Sequence, residues 1–255
     1  MQGPAIGTGF AGLGRFDRVA VGAFSFVLVH SPLTGPDVWQ PAATALHGLG
    51  AAAWVAELRD DAAPGAPFWL RHARAAAASL RALPANERAW LVGHSGAGAL
   101  LPLVQEAAGR PVAGYLFVDA GLPRAGSRLD AIAEESVEFA AQLRASLAAG
   151  EHFPAWTDAQ LAEIVPDAGR RRDLLAGVRP RGLDFFEEPL PLPAGWPDAP
   201  CGYLWFSAPY LPALAEARSR GWPVRELPGG HFHMLVEADA VARALLELAR
   251  TAGSG

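Results

Sequence analysis

Lysine is absent from all 255 residues, so the 21 basic side chains are arginines. Without lysine the chain can form no Schiff base, anchor no pyridoxal phosphate and build no Walker-type phosphate loop. Cysteine occurs once, at Cys201, which excludes an internal disulfide framework, cysteine-rich zinc sites and iron–sulfur clusters. A lone cysteine at the start of an apolar run is expected to be buried. Charge is sparse as well, at 18%, and the formal balance is −5. That balance offers no basic face to a nucleic acid or a membrane surface. No run of about 18 apolar residues occurs, and the first fifteen residues lack the basic start and apolar core of a signal peptide. These absences lead to the expectation of a cytoplasmic bacterial protein with no nucleic-acid or membrane partner.

Half of the chain is apolar, at 51%, which is enough for a large core. Its distribution follows a repeating order. Short β-forming runs at 24–29, 51–58, 89–95 and 112–120 alternate with helical stripes at 39–48, 68–83 and 97–109. Strand and helix in strict alternation imply right-handed crossovers onto a mostly parallel sheet flanked by helices. Between about Gly121 and Pro200 the alternation stops, and helical stretches broken by prolines replace it. The pattern then resumes with strands at 201–207 and 223–227 and a last helix at 235–250. The expected organisation is therefore an α/β core formed by 1–120 and 201–255, with residues 121–200 inserted as a helical cap. Aromatic residues of that cap, Phe139 and Trp156 among them with Phe153, Phe185, Phe186 and Trp196, are candidates to face a substrate.

A G-x-G-x-x-G pattern at Gly7, Gly9 and Gly12 neither follows a strand nor opens a helix, so it is not read as a dinucleotide fingerprint. The informative stretch is Gly93-His94-Ser95-Gly96-Ala97, where a strand hands over to a helix. A serine in such a turn needs small residues two before and two after it, here Gly93 and Ala97, because strand and helix backbones nearly touch. The turn exposes the hydroxyl at the start of the helix, where the N–H of Gly96 can stabilise an oxyanion.

Taken in order, these features resemble the α/β-hydrolase fold superfamily, over nearly all of 24–250. The opening His30-Ser31-Pro32-Leu33, the turn at Ser95, the cap and the loop Gly229-Gly230-His231-Phe232 are similar to those of compact single-cap enzymes of the esterase and hydroxynitrile lyase group. The resemblance implies Ser95 as nucleophile and His231 as its base, with His233 as competitor; His30 and His94 join the cap aromatics as candidate substrate contacts. A metal between His231 and His233 would lack a third ligand. Two positions depart from the family. Where its acid is usual, this chain has Ser207, Pro209 and Tyr210. Asp119, one strand over at a spacing of about 4.8 Å, can reach the same imidazole, with Glu188 or a Ser–His dyad as alternatives. The family's oxyanion donor falls on Pro32, which has no N–H, so Leu33 becomes the nearest donor, with the Thr34 hydroxyl as an addition. The implied activity is cofactor-free hydrolysis of an ester or thioester of an apolar small molecule. A lyase or cyclase and a ligand-binding protein are the alternatives. The run Arg170-Arg171-Arg172 reads as a solvated face or an anion site.

Overall fold

Five-residue apolar runs with buried side chains build the centre of the molecule: β1 (Ser25–Val29), β3 (Trp90–His94) and β4 (Gly114–Val118) are buried along their whole length. With β2 (Ala52–Ala56), β7 (Cys201–Trp205) and β8 (Val224–Glu226) they form a six-stranded sheet in the order β2-β1-β3-β4-β7-β8, every pairing parallel. The structure is a computed structural model and describes residues 24–254; the glycines at 7, 9 and 12 lie outside the described residues.

Side chains alternate between the two faces of the strands. Phe26, Leu28, Val92, Leu116 and Val118 pack beneath α1 (Gln40–Gly48) and α11 (Ala238–Ala252). Val27, Val29, Leu91, Tyr115 and Phe117 pack beneath α2 (Phe68–Arg81), α3 (Leu101–Ala108) and α9 (Leu211–Ser219). Both faces are thus covered by helices whose buried stripes follow the helical period. Cys201 is buried at the first position of β7. No helix among the described residues is long and apolar enough to cross a membrane.

Between β4 and β7 the chain forms a two-stranded antiparallel pair, β5 (Gly126–Ser127) with β6 (Pro189–Leu190), and five helices: α4 (Arg128–Glu135), α5 (Val137–Ala148), α6 (Asp158–Leu161), α7 (Ala168–Ala176) and α8 (Leu183–Glu187). The apolar, helix-forming run from 128 to 148 is split into α4 and α5. Ser136 adopts an extended backbone between them, and its side chain caps α5 by accepting the Phe139 N–H. The last helix is also divided, with α10 (His233–Val236) ending at Glu237, whose non-helical backbone starts α11.

Strand order reverses at β1, since β2 lies on one side of it and β3 on the other. A crevice opens there at the carboxyl ends of the strands, the place where doubly wound sheets bind ligands. The tight hand-over after β3 depends on glycine. A Cβ on Gly98 would lie 2.3 Å from the carbonyl oxygen of Gly121, which follows β4. We expect Gly98→Ala to destabilise the fold by about 1–3 kcal/mol, as overpacking does; chemical denaturation measures it.

Candidate active site

Two residues other than glycine adopt positive φ among the described residues, Ser95 at +57° and Asp119 at +43°. Each directly follows, or nearly follows, the end of a strand, β3 and β4, which are neighbours in the sheet. Backbone strain of this kind persists only where the surroundings enforce it, and it concentrates at functional positions. At Ser95 the enforcement is steric: a Cβ on Gly93 would lie 3.0 Å from the Leu101 side chain and 3.1 Å from the Ala97 carbonyl carbon.

Asp119 is fully buried and every lone pair of its carboxylate is engaged. Oδ1 accepts the N–H groups of Phe206 and Ser207 at 3.0 and 2.9 Å, and Oδ2 accepts the Ser207 hydroxyl at 2.5 Å. Nδ1–H of His231 donates to Oδ2 at 2.7 Å. Ser207, standing where the resemblance places the usual acid, therefore supports the aspartate from the adjacent strand. Glu188, an alternative acid, is elsewhere: it accepts the N–H groups of Phe68 and Trp69 at the start of α2, at 2.5 and 2.9 Å, and pairs with the buried Arg128 at 3.2 Å. It clasps the 121–200 segment to the core.

The His231 ring is flanked by two more side chains, one of which also holds its backbone. Tyr210 stacks on it with centroids 5.1 Å apart, His94 lies 4.4 Å away, and Nε2–H of His94 donates to the His231 carbonyl at 2.8 Å. Ser95 Oγ is paired with the Tyr210 hydroxyl at 3.2 Å, not with His231. Tyr210 is a residue that sequence reasoning named only as a non-acid. Its place just past β7, on the edge where active-site groups of such sheets gather, is the signal that points to it. His233 faces away and packs its ring on Phe206 at 5.4 Å.

Ser95, Gly96 and His231 line one cavity of about 750 Å³, together with Ser31, Leu33, Tyr210 and a mostly apolar wall. Phe139, Phe153, Trp156, Phe185 and Phe186 all reach it, whereas Trp196 packs against Phe117 and Trp222 on the far side of the sheet. His30 and His94, expected as substrate contacts, do not line it; both have no exposed surface. Nδ1–H of His30 donates to the Ser31 carbonyl and Nε2 accepts the Leu58 N–H, and burial holds its pKa at about 4, so the neutral ring anchors the turn after β1. Burial also holds the His94 pKa well below its ordinary value, so that ring positions the histidine loop.

The turn itself, Ser31-Pro32-Leu33-Thr34, closes with Thr34 N–H donating to the Ser31 carbonyl at 3.0 Å, and proline is pre-set for its second position. Its donors are not where the sequence reading puts them. Leu33 N–H is directed to Ser31 Oγ at 3.3 Å, and the Thr34 hydroxyl donates to the Ser31 carbonyl. A hydroxyl that accepts one bond keeps its own proton to give, so Ser31 is the group of this turn able to donate into the cavity. It is near Gly96, whose ideal Cβ would lie 3.8 Å from Ser31 Oγ. Arg171 pairs with Asp158 within its own segment, and Arg170 donates to the Leu235 carbonyl in α10, so both arginines have structural partners. Among the described residues no group of three or more His, Cys, Asp and Glu side chains is arranged to hold a metal ion.

Against known proteins, a model of the alpha/beta hydrolase family matches residues 26–244. No curated protein matches the chain significantly. Among solved structures, an extracellular alpha/beta-hydrolase from a Paenibacillus species, described as homologous in structure and function to tobacco salicylic acid binding protein 2, superposes with a TM-score of 0.69 at 17% identity, covering 88% of this chain and 98% of that one. Polyneuridine aldehyde esterase gives 0.67 at 18% identity, with 89% and 99% covered. Tomato methylketone synthase I, complexed with 2-tridecanone, gives 0.66 at 18%, with 91% and 100% covered. At such identities the likeness is one of fold.

The bond between His231 and Asp119 is directly measurable. A ring N–H held by a buried carboxylate is expected to give a far-downfield proton resonance in the wild-type NMR spectrum. Asp119→Asn, which offers an amide N–H to the ring and so reverses its tautomer, is expected to abolish that resonance in a folded protein.

Proposed function

The chain belongs to the alpha/beta hydrolase family, and on that premise we propose that it is a serine hydrolase cleaving an ester or thioester of a mainly apolar small molecule without a cofactor. One observation carries the reading: a strained Ser95 and a His231 tied to the buried Asp119 share the wall of an apolar cavity. The esterase among the structural neighbours is in keeping with it.

In this reading Ser95 Oγ exchanges its Tyr210 partner for His231 and attacks the substrate carbonyl while the imidazole takes its proton. Asp119 holds the imidazolium that forms. The tetrahedral oxyanion accepts the Gly96 N–H and the Ser31 O–H, the latter replacing the amide that Pro32 lacks. His231 then returns the proton to the departing alcohol or thiol, and water releases the acyl group by the same steps. The 121–200 segment serves as the cap, and its aromatic side chains hold the apolar part of the substrate. A non-hydrolytic lyase or cyclase is the second reading, favoured by the proline in the oxyanion turn and by the Tyr210 hydroxyl on Ser95.

A fluorophosphonate probe is expected to label Ser95, read by peptide mass spectrometry, and Ser95→Ala to abolish labelling with little change in Tm. Labelling elsewhere with Ser95 untouched overturns the assignment. Ser31→Ala is expected to lower kcat toward chromogenic esters by roughly 10²–10³-fold, the loss typical of one oxyanion donor, whereas Ser31→Thr retains most of the rate. Equal rates in Ser31→Ala and wild type would place the donor elsewhere.

A further inference from the structure

Besides His231, three charged side chains reach the cavity: Arg124, Arg128 and Glu135. Both arginines are already paired, Arg128 with Glu188, and Arg124 with Glu134 and Glu216. Glu135 forms no hydrogen bond or ion pair with any described residue. It is the last residue of α4, where the free carbonyls and the negative end of the helix disfavour a carboxylate and favour a cation. Gly121 stands close by: a Cβ there would touch Glu135 Oε1 at 3.6 Å. A side pocket of about 100 Å³ adjoins the main cavity there, the two sharing Gly121, Arg124, Ala131 and Glu135.

An ionised carboxylate in a largely apolar wall is costly unless a positive charge meets it, and the wall has no cation to spare. Burial and the nearby Asp119 push the Glu135 carboxyl up to about 7, with Arg124 pulling the other way. Above that value the carboxylate is ionised without a partner among the described residues, and a cation held in the cavity can supply one. We propose that Glu135 anchors a protonated amine, so that the substrate is an apolar ester or thioester that also carries an ammonium group. The ester half of this statement rests on the serine-hydrolase reading; the amine site does not.

The test is calorimetric and needs no turnover. 4-Phenylbutylamine and 4-phenylbutanol, which share an apolar body, are titrated into wild type, Glu135→Gln, Glu135→Asp and Ser95→Ala. At about pH 8.5 wild type is expected to bind the amine about tenfold more tightly than the alcohol, as for one charge-assisted contact. The preference is expected to fall to within about twofold in Glu135→Gln and to persist in Glu135→Asp and Ser95→Ala. It also shrinks at about pH 5.5, because a carboxyl with a raised pKa is neutral below it and charged above it. Arg124, Arg128, Glu134, Glu216, Tyr210 and His231 line the two adjoining spaces, and Asp119 lies buried behind them. Protonation of His231 would repel an amine too, but equally in Glu135→Gln, so the difference between wild type and that variant isolates Glu135.

Equal binding of amine and alcohol by wild type, or an unchanged preference in Glu135→Gln, overturns the proposal. Should Glu135→Gln not fold, wild type and Glu135→Asp across the pH range decide it: a preference that does not grow with pH sinks it. Fluorophosphonate labelling of Ser95 without amine preference rejects the amine site alone. Amine preference without labelling rejects the hydrolase reading alone.

Discussion

A carboxylate with no exposed surface must be met on all sides, and the C-terminal edge of this sheet is arranged around that demand at Asp119. The two amides and the hydroxyl that satisfy it come from Phe206 and Ser207, past the end of β7, and the fourth donor is the imidazole of His231. Three separate parts of the chain are thereby held in register. The histidine loop is then fixed from its other side by the His94 ring, which bonds the His231 carbonyl, and His94 is the last residue of the strand that carries Ser95. The proposed nucleophile, base and acid are therefore linked through one hydrogen-bonded path as well as through the sheet.

A second polar device acts at a distance from this edge. Glu188 satisfies the first amides of α2 and neutralises the buried Arg128, while Arg181 pairs with Asp60, which also accepts from His72. Burial holds the His72 pKa at about 4, so its ring serves as a neutral donor. Both contacts join the 121–200 segment to the core, and of the two charge pairs only Arg128–Glu188 is buried on both sides. Removing one partner of such a pair costs more than the pair itself contributes, because the other charge stays buried.

The strand–helix order and the position of Ser95 were legible in the chain because both rest on local rules: apolar runs of strand length, helical periodicity, and small residues flanking a sharp turn. Proximity of Asp119 to His231 could be argued from strand spacing, but not its completion by Ser207, since the sequence does not say which groups of the next strand end turn inward. Leu33 and Thr34 bond within their own turn for a similarly local reason. Their hydrogen-bonding groups close a proline turn on Ser31, a choice made by backbone geometry. His30 and His94 are candidate substrate contacts in sequence, yet burial leaves both as structural donors and acceptors.

Composition and pattern by themselves determined a chain without lysine, with one buried cysteine, alternating strands and helices, and a serine in a tight turn, because each of these depends on residues close in sequence or on mere absence. Tertiary structure alone decided that Tyr210 stacks on the imidazole and holds the Ser95 hydroxyl, that Ser31 keeps a free proton, and that Glu135 meets the cavity without a partner. The Tyr210 contacts join segments tens to more than a hundred residues apart. Their geometry follows from how the sheet, the histidine loop and the 121–200 segment close on one another, and no periodicity along the chain encodes it.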